Sequence, residues 1–532
     1  MKLKSLANRG KDFFKKHSFE TILFLVVLVS FVINYYMIRT GLNEEMGYSS
    51  EKKLLYKLAY VGMAVVLSLV TFFIVRHFKS KTNKLAKIFV VFGLIMGVFY
   101  LVLSPLFTGS DEHNHFYRIY EISEGTMVTP VGPTYSGSEL PSSLNKAFLE
   151  GSGDNPRVKY HDVSDMMSIP LDEDDRVLYT SDDLQKFYAN TSLYSPISYF
   201  PQVIGVSLGK VFNLGPLYLG MLGRLFNLLF YVLIGYFAIK MMPKWKLFYF
   251  LILLSPNMMQ CATTLSADAF INVMALLLIA VVTKIRFDEK IITKGQELLL
   301  IVLCMIVSLC KVCYAPLVGL ILLIRGKQYS HDKKEKIIYV TIVALIVGAL
   351  SWWWMSETSV LFDAVYPHTA LQREFILSNP LDYLIILVRS IVNWSVDITE
   401  NLFIGHRMYH TQLEIPAIIS FAYVGLVVMA LCEKNDNKKK LSKNEKYYVG
   451  AIMSAVVALI FSALYLQYTA IAKVGAPLIK GIQGRYFIPV VFCVPLVLSI
   501  KKKIKLDEKK MIEAMAVANL VVWLYMMCRF IC

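Results

Sequence analysis

Apolar runs of about twenty residues recur along the whole chain, separated by short polar segments that carry clustered lysines and arginines. An α-helix needs roughly 20 apolar residues to cross the hydrocarbon of a bilayer. Runs near that length extend from Glu20 to Ile38, Leu58 to Val75, Ile88 to Phe107, Leu217 to Ala238, Leu247 to Ala262, Ile337 to Met355, Ile415 to Leu431, Tyr448 to Leu466, Tyr486 to Ile500 and Met511 to Ile531. Shorter ones lie at Phe270 to Thr283 and, as a pair, within Leu298 to Ile324. The pattern predicts an all-α, polytopic transmembrane helical bundle of about 13 spans. Two polar stretches interrupt it. They divide the chain into N-terminal helices (1–107), a loop rich in Ser, Asp, Gly and Pro (108–196), central helices (197–355), a second polar segment (356–414) and C-terminal helices (415–532). Within the second polar segment, Tyr383 to Val392 is moderately apolar and reads as interfacial or re-entrant.

Composition excludes most other classes. Hydrophobic residues make up 56% of the chain, charged residues 18%, and the mean hydropathy is +0.53, so disorder, a collagen repeat and a small disulfide scaffold are ruled out. The eight cysteines lie in or beside apolar segments. Cys310 and Cys313 form a C-x-x-C inside an apolar stretch with no second pair, which reads as packed thiols rather than a metal or redox site.

The net charge of +16 is unevenly divided. Residues 108–196 hold 15 acids against 6 bases, a balance of −9, which leaves +25 for the rest. The cations cluster at Lys2 to Lys16, Arg76 to Lys87, Arg325 to Lys336, Lys434 to Lys446 and Lys501 to Lys510. Every cluster abuts an apolar run, so they orient helices, with positive loops inside, instead of binding nucleic acid. The first run follows six cations and no cleavage site succeeds it, which reads as a retained helix with a cytoplasmic N-terminus. Three crossings then place residue 108, and the acidic loop, outside a cell membrane. Prolines 196 and 201 and Lys210 make Ile197 to Phe212 an amphipathic segment on the outer surface rather than a crossing.

Chemistry is densest where the third run ends, in Thr108-Gly-Ser-Asp-Glu-His-Asn-His-Phe-Tyr-Arg118. Asp111 and Glu112 stand at the bilayer surface, where partial desolvation makes a carboxylate a better base. The same residues also suit an ordinary helix start, with Ser110 as cap and acids in the first turn. His113, His115 and Arg118 share the stretch, and a helix brings Asp111 and His115 to one face. Asp111, His113 and His115 could also meet a divalent cation, although the spacing carries no zinc signature. Asp268 caps or occupies the tip of an outer hairpin between Leu254-Ser-Pro-Asn257 and Phe270. Lys480, Gln483 and Arg485 lie at the outer mouth of a span, and with Lys473 they oppose the charge bias of outer loops, so they ask for an anionic partner or snorkel to headgroups. Arg373, Arg389, His406, Arg407 and His410 could serve the same end. Lys57, Arg224 and Lys311 are charges inside apolar runs. Asn190-Thr-Ser192 fits a glycosylation acceptor triplet.

Three stretches carry a family resemblance: Ser104-Pro-Leu-Phe107 through Asp111-Glu-His-Asn-His-Phe-Tyr-Arg118 to Gly125; Tyr194-Ser-Pro-Ile-Ser-Tyr199 with Arg224 to Asn227 and Ser255-Pro256 to Asp268; and Gln483-Gly-Arg-Tyr486. In these the chain resembles the DUF2142 family of bacterial multi-pass membrane proteins, which is similar to GT-C class glycosyltransferases. The resemblance implies an inverting, extracytoplasmic transfer of a sugar from a polyprenyl-phosphate donor to a cell-surface glycan acceptor. It implies that Asp111 or Glu112 takes the acceptor's proton, that Arg485 and Lys480 hold the departing phosphate, and that Asp268 and His115 orient the acceptor or tune the base; Gln483, His113 and Arg118 belong with the substrate. It implies no certain cofactor, and a divalent cation stays open. Two alternatives stand beside it: a polysaccharide polymerase or ligase with a similar donor, and a lipid-linked-sugar transporter or flippase without chemistry. Transporters place ionisable residues near the midplane and show related halves, whereas the acids here gather at one surface.

Overall fold

The computed structural model describes residues 18–44, 54, 58–62, 64–66, 69, 84–132, 136–152, 166–179, 188–405, 413, 415–433, 439–498 and 506–531. The apolar run from Leu58 to Val75, the basic runs at Lys2 to Lys16, Arg76 to Lys87 and Lys501 to Lys510, and His406, Arg407 and His410 lie wholly or largely outside the described residues, as does Lys57.

Nearly all described elements are helices. Six are long and apolar enough to cross a membrane: Leu85–Leu103, Pro216–Met241, Asp268–Asp288, Asp332–Glu357, Lys443–Ala472 and Glu508–Phe530. Thr369–Ser378 and Pro380–Glu400 make a seventh if they count as one span bent by 107°. The chain is therefore a membrane protein. Among the described residues, unbroken spans are fewer than the apolar runs led one to expect, and proline explains several of the differences. Leu247 to Ala262 breaks at Ser255-Pro256 into two short buried helices, Lys246–Leu253 and Pro256–Ala262, because the residue before a proline is pushed to extended backbone, here φ −66° and ψ 147°. Lys294–Cys310 is followed by an extended Lys311 and a 3-10 segment, Val312–Leu323, that contains Pro316. Beyond Gly484–Phe487, Pro489 and Pro495 each start a four-residue turn.

The helix Asp268–Asp288 is encased, with 94% of its apolar window buried, while Asp332–Glu357 has only 17% buried and turns Ile338, Ile342 and Leu345 outward. Around the encased helix pack Pro216–Met241 and, through it, Leu85–Leu103 and Phe200–Val211. Phe200–Val211, the core of the segment read as amphipathic, is a 12-residue helix, shorter than a crossing needs. Its outer face exposes Phe200, Ile204, Leu208 and Val211, and its far end places Lys210 beside Glu124 and Glu173.

The acidic stretch after residue 104 folds into a polar lobe on one end of the bundle. Its helix Glu112–Ser123 is buried over almost its whole length. Two short strands, Glu139–Pro141 and Arg176–Leu178, pair antiparallel with Leu140 opposite Val177. The lobe is organised around the buried carboxylate of Glu121, which accepts from Arg118 (2.5 Å), Thr129 (2.7 Å), Ser138 (2.5 Å) and Tyr188 (3.0 Å). Trp354 joins the 332–357 helix to the lobe by donating to the carbonyl of Leu193 at 3.1 Å.

Candidate active site at the polar end of the bundle

Glu112 and Arg224 form a clamp beneath the lobe. Arg224 Nε and Nη2 donate to the two carboxylate oxygens at 2.7 and 2.6 Å, while Nη1 and Nη2 also reach the carbonyls of Ser104 and Pro105. The backbone N–H groups of Leu265 and Gly109, both at 3.0 Å, complete the set around Glu112. A carboxylate whose two oxygens already accept from four donors has little capacity left for a substrate hydroxyl. The clamp fixes the turn leaving helix 85–103, the first turn of helix 112–123 and the hairpin that leads to Asp268. Asn227 adds to it, donating to the carbonyls of Cys261 and Thr264.

Asp111, one residue earlier, is held differently. It occupies the helix N-cap in the left-handed region (φ 54°) and its side chain makes no cap hydrogen bond. Phe107 also has positive φ (70°), unusual for a bulky residue, and is pinned against Phe116 and Phe148. Strained backbone of this kind persists where the surroundings over-determine it, and it clusters at functional sites. The carboxylate of Asp111 lies within electrostatic reach of His115, Arg485 and Tyr366, so the four belong to one charged neighbourhood.

The neighbouring candidates separate. His115 hydrogen-bonds Tyr199 Oη through Nδ1 at 2.7 Å and is buried. Burial pushes its pKa down to about 4; Asp111 and Asp268 oppose the shift and Arg485 adds to it, so the ring is neutral near pH 7. His113 turns away and stacks on Phe148 at 4.2 Å. Arg118 points into the lobe, where it also donates to the carbonyls of Met127 and Thr126. Asp111, His113 and His115 therefore do not converge as ligands, and among the described residues no group of three His, Cys, Asp or Glu could hold a metal.

Arg485 and Asp268 meet across the cleft, with Nε 2.8 Å from Oδ2. The contact lacks hydrogen-bond geometry, and Nε has no hydrogen-bond partner among the described residues. Ser266 Oγ accepts from the backbone N–H of Asp268 and so starts the encased helix. A second cation stands beside this pair: Lys311 Nζ lies 4.2 Å from the ring centre of Tyr486, 5.4 Å from Tyr194 and 5.9 Å from Tyr314. Such faces attract a cation without neutralising it.

The segment carrying Lys480, Gln483 and Arg485 is shaped by its glycines. Gly481 has φ 79°, and a Cβ on Gly484 would come within 2.6 Å of the backbone of Asn401. The segment docks on the Pro380–Glu400 helix through Trp394 Nε1 to the carbonyl of Ile479 (2.7 Å) and Ser390 Oγ from the N–H of Ile479 (3.0 Å). Between them is a cavity of ≈ 460 Å³ lined by residues that include Lys480, Gln483, Arg485, Trp394, Asp397 and Asn401. Arg373, on the helix Thr369–Ser378, and Arg389, on Pro380–Glu400, are exposed.

A family described as "Predicted membrane protein (DUF2142)" matches residues 94–494. The chain belongs to the DUF2142 family. The match covers both the Glu112–Arg224 clamp and the cleft of Asp111, His115, Asp268, Lys311 and Arg485. No curated protein and no solved structure matches the chain. Of the residues around Arg485, Tyr199, Tyr314, Trp394 and Asp397 had no role from sequence; Lys311 carried a signal, a lone lysine interrupting an apolar run.

Proposed function

We propose that this DUF2142 protein is a membrane glycosyltransferase that moves a sugar from a polyprenyl-phosphate donor to a cell-envelope glycan on the extracytoplasmic face of the cell membrane. The observation that supports this reading is the gathering of acids and cations at the polar end of the bundle, where Arg485 contacts Asp268, Lys311 acts on Asp268, and Asp111 lies within electrostatic reach of Arg485. Asp111 takes the proton of an acceptor hydroxyl as its oxygen bonds to the anomeric carbon. The bond from that carbon to the phosphate oxygen breaks, and the phosphate leaves with the electron pair toward Arg485, with Lys480 and Lys311 nearby. Attack opposite the leaving group inverts the anomeric centre. Neutral His115 neither competes for the proton nor adds charge, and Asp268 holds Arg485 in place. Glu112, saturated by donors, is a framework residue in this mechanism.

Transport is disfavoured by the fate of Arg224. A charge inside an apolar run is a pathway candidate only while it is free to meet cargo, and Glu112 and two carbonyls occupy it. A polymerase or ligase would use the same donor and differ in product length.

Asp111→Asn tests the proposal. The variant removes the base with little change of shape, so a protein that melts like wild type should transfer sugar about 10²–10⁴-fold more slowly. Cells producing it at normal levels and keeping a wild-type surface-glycan composition would overturn the assignment.

A further inference from the structure

The helix Lys294–Cys310 is 17 residues long, about 25 Å, and ends against the polar end of the bundle, where Ser198 Oγ donates to the carbonyl of Cys310 at 3.5 Å. Lys311 follows in extended backbone (φ −161°, ψ 116°) before the 3-10 segment begins. Its half-buried ammonium is held by aromatic faces, 4.2 Å from the ring centre of Tyr486 and 5.4 Å from that of Tyr194, while Tyr314 is fixed beside it by donating to the carbonyl of Tyr486 at 2.9 Å. Ring faces position a cation without using any of its three N–H donors. Among the described residues Nζ makes no hydrogen bond and no ion pair; Asp268 lies within its electrostatic reach but contacts Arg485 instead. Arg485 is the second cation at the same ring, its Cζ 5.7 Å from the centre of Tyr486. Tyr366 lies within electrostatic reach of Lys311, Tyr194 and Tyr486, and none of these three tyrosine hydroxyls hydrogen-bonds a protein group among the described residues. A half-buried cation that keeps its donors free is desolvated with no protein partner to offset the cost, and charges of this kind within a membrane protein mark sites of recognition.

We infer that Lys311 binds the phosphate of the lipid-linked donor together with Arg485, one cation to each non-bridging oxygen, with the hydroxyls of Tyr194 and Tyr366 completing the seat. The inference rests on the glycosyltransferase reading and deepens it by naming the group that meets the charge of the leaving phosphate. A phosphate that carries both the sugar and the prenyl chain is a diester with one negative charge. When the bond from the anomeric carbon breaks and its electron pair stays on the phosphate oxygen, the phosphate becomes a monoester dianion. Lys311, with its donors unspent, takes up the added charge, whereas Arg485 already shares Asp268. Ordinary phospholipid headgroups offer the same phosphate chemistry, so the test separates the two sources.

Purified full-length protein is titrated with polyprenyl phosphate, with polyprenol and with phosphatidylglycerol, and thermal stabilisation gives the affinities. Wild type should bind polyprenyl phosphate about tenfold more tightly than either of the others. Lys311→Met should lose about ten- to a hundredfold in affinity for polyprenyl phosphate, keep polyprenol within about twofold, and melt like wild type without lipid, since it removes no protein hydrogen bond. Tyr366→Phe should lose about three- to tenfold with the same selectivity. In transfer assays Lys311→Met should lower kcat more than it raises KM. Variants that keep the wild-type preference for polyprenyl phosphate, or a Lys311→Met protein that melts well below wild type, would overturn the phosphate seat while leaving the Asp111 assignment to its own assay. Equal binding of phosphatidylglycerol, lost in parallel in the variant, would make Lys311 a headgroup anchor and overturn the seat as well. Wild type that does not distinguish polyprenyl phosphate from polyprenol would overturn both the seat and the lipid-phosphate donor.

Discussion

Two buried arginine–carboxylate pairs sit a short distance apart in this protein, and they differ in almost everything but chemistry. In the Glu112–Arg224 pair the side chains are 1% and 0% exposed, and Nε, Nη1 and Nη2 of the guanidinium each find a protein acceptor. In the Asp268–Arg485 pair they are 11% and 10% exposed, the ion pair is a single Nε–Oδ2 contact, and Nε makes no hydrogen bond although the residue lines a cavity. A saturated pair stabilises one geometry. An unsaturated pair next to open space holds a charge in readiness for another anion. The difference assigns framework to the first and recognition to the second, although both involve residues of the motifs that mark the family.

The sharpest way to break this comparison is to exchange adjacent acids. Asp111→Asn should lose about 10²–10⁴-fold in transfer rate with its melting temperature unchanged. Glu112→Gln should behave in the opposite manner: breaking one side of a buried pair leaves the other charge uncompensated, at roughly 3–5 kcal/mol. Melting curves and folded yield in detergent check this, and Arg224→Met should fall in the same class. A Glu112→Gln protein as stable as wild type, yet inactive, would move the catalytic base by one residue.

How much of this could be read from sequence differs between the same two regions. The apolar runs gave the helical bundle because burial in lipid leaves a long, strong signature. They overcounted unbroken spans because a proline such as Pro256 or Pro489 breaks a helix without lowering the apolarity of the run. Asp111, His115, Asp268 and Arg485 stood out by type and place, but nothing in their spacing distinguished Asp111 from Glu112. That distinction depends on Arg224, more than a hundred positions away, and on a carboxylate's donors, which only the folded chain assembles. His113 and Arg118 looked equivalent to His115 for the same reason; helix geometry then sent one to Phe148 and the other to Glu121. Trp394 and Asp397 were invisible because the amphipathic helix bearing them reads as interfacial, and its inner face gains meaning only from the 479–485 segment docked upon it.

A smaller effect probes the environment of the cleft. His115 is neutral in the folded protein, with a pKa near 4 set first by burial, whereas the unfolded chain titrates near 6.5. Between those values the unfolded state takes up a proton that the folded state refuses, so stability should fall as pH drops from about 6.5 toward 4 and be fully present above that window. The loss at pH 5 is about 2 kcal/mol. Melting temperature against pH should therefore be steeper for wild type than for His115→Gln. Parallel curves would show that the ring is hydrated, and the cleft would not be the dry, charge-strengthening place that the comparison of the two pairs requires.

The smallest expected change tests the outer edge of the unsaturated pair. Lys480 is exposed, lines the cavity and has no protein partner among the described residues, so it gains from a phosphate only a screened attraction of about 0.5–1 kcal/mol. Lys480→Gln should raise KM for the lipid donor roughly two- to fivefold, leave kcat unchanged, and flatten the dependence of KM on salt. If kcat falls instead while KM holds, Lys480 interacts with the phosphate more strongly in the transition state than in the bound donor. The burden of leaving-group stabilisation would then pass from Arg485, buried and paired with Asp268, to a flexible cation at the rim, and the contrast between the two arginines would lose its catalytic half.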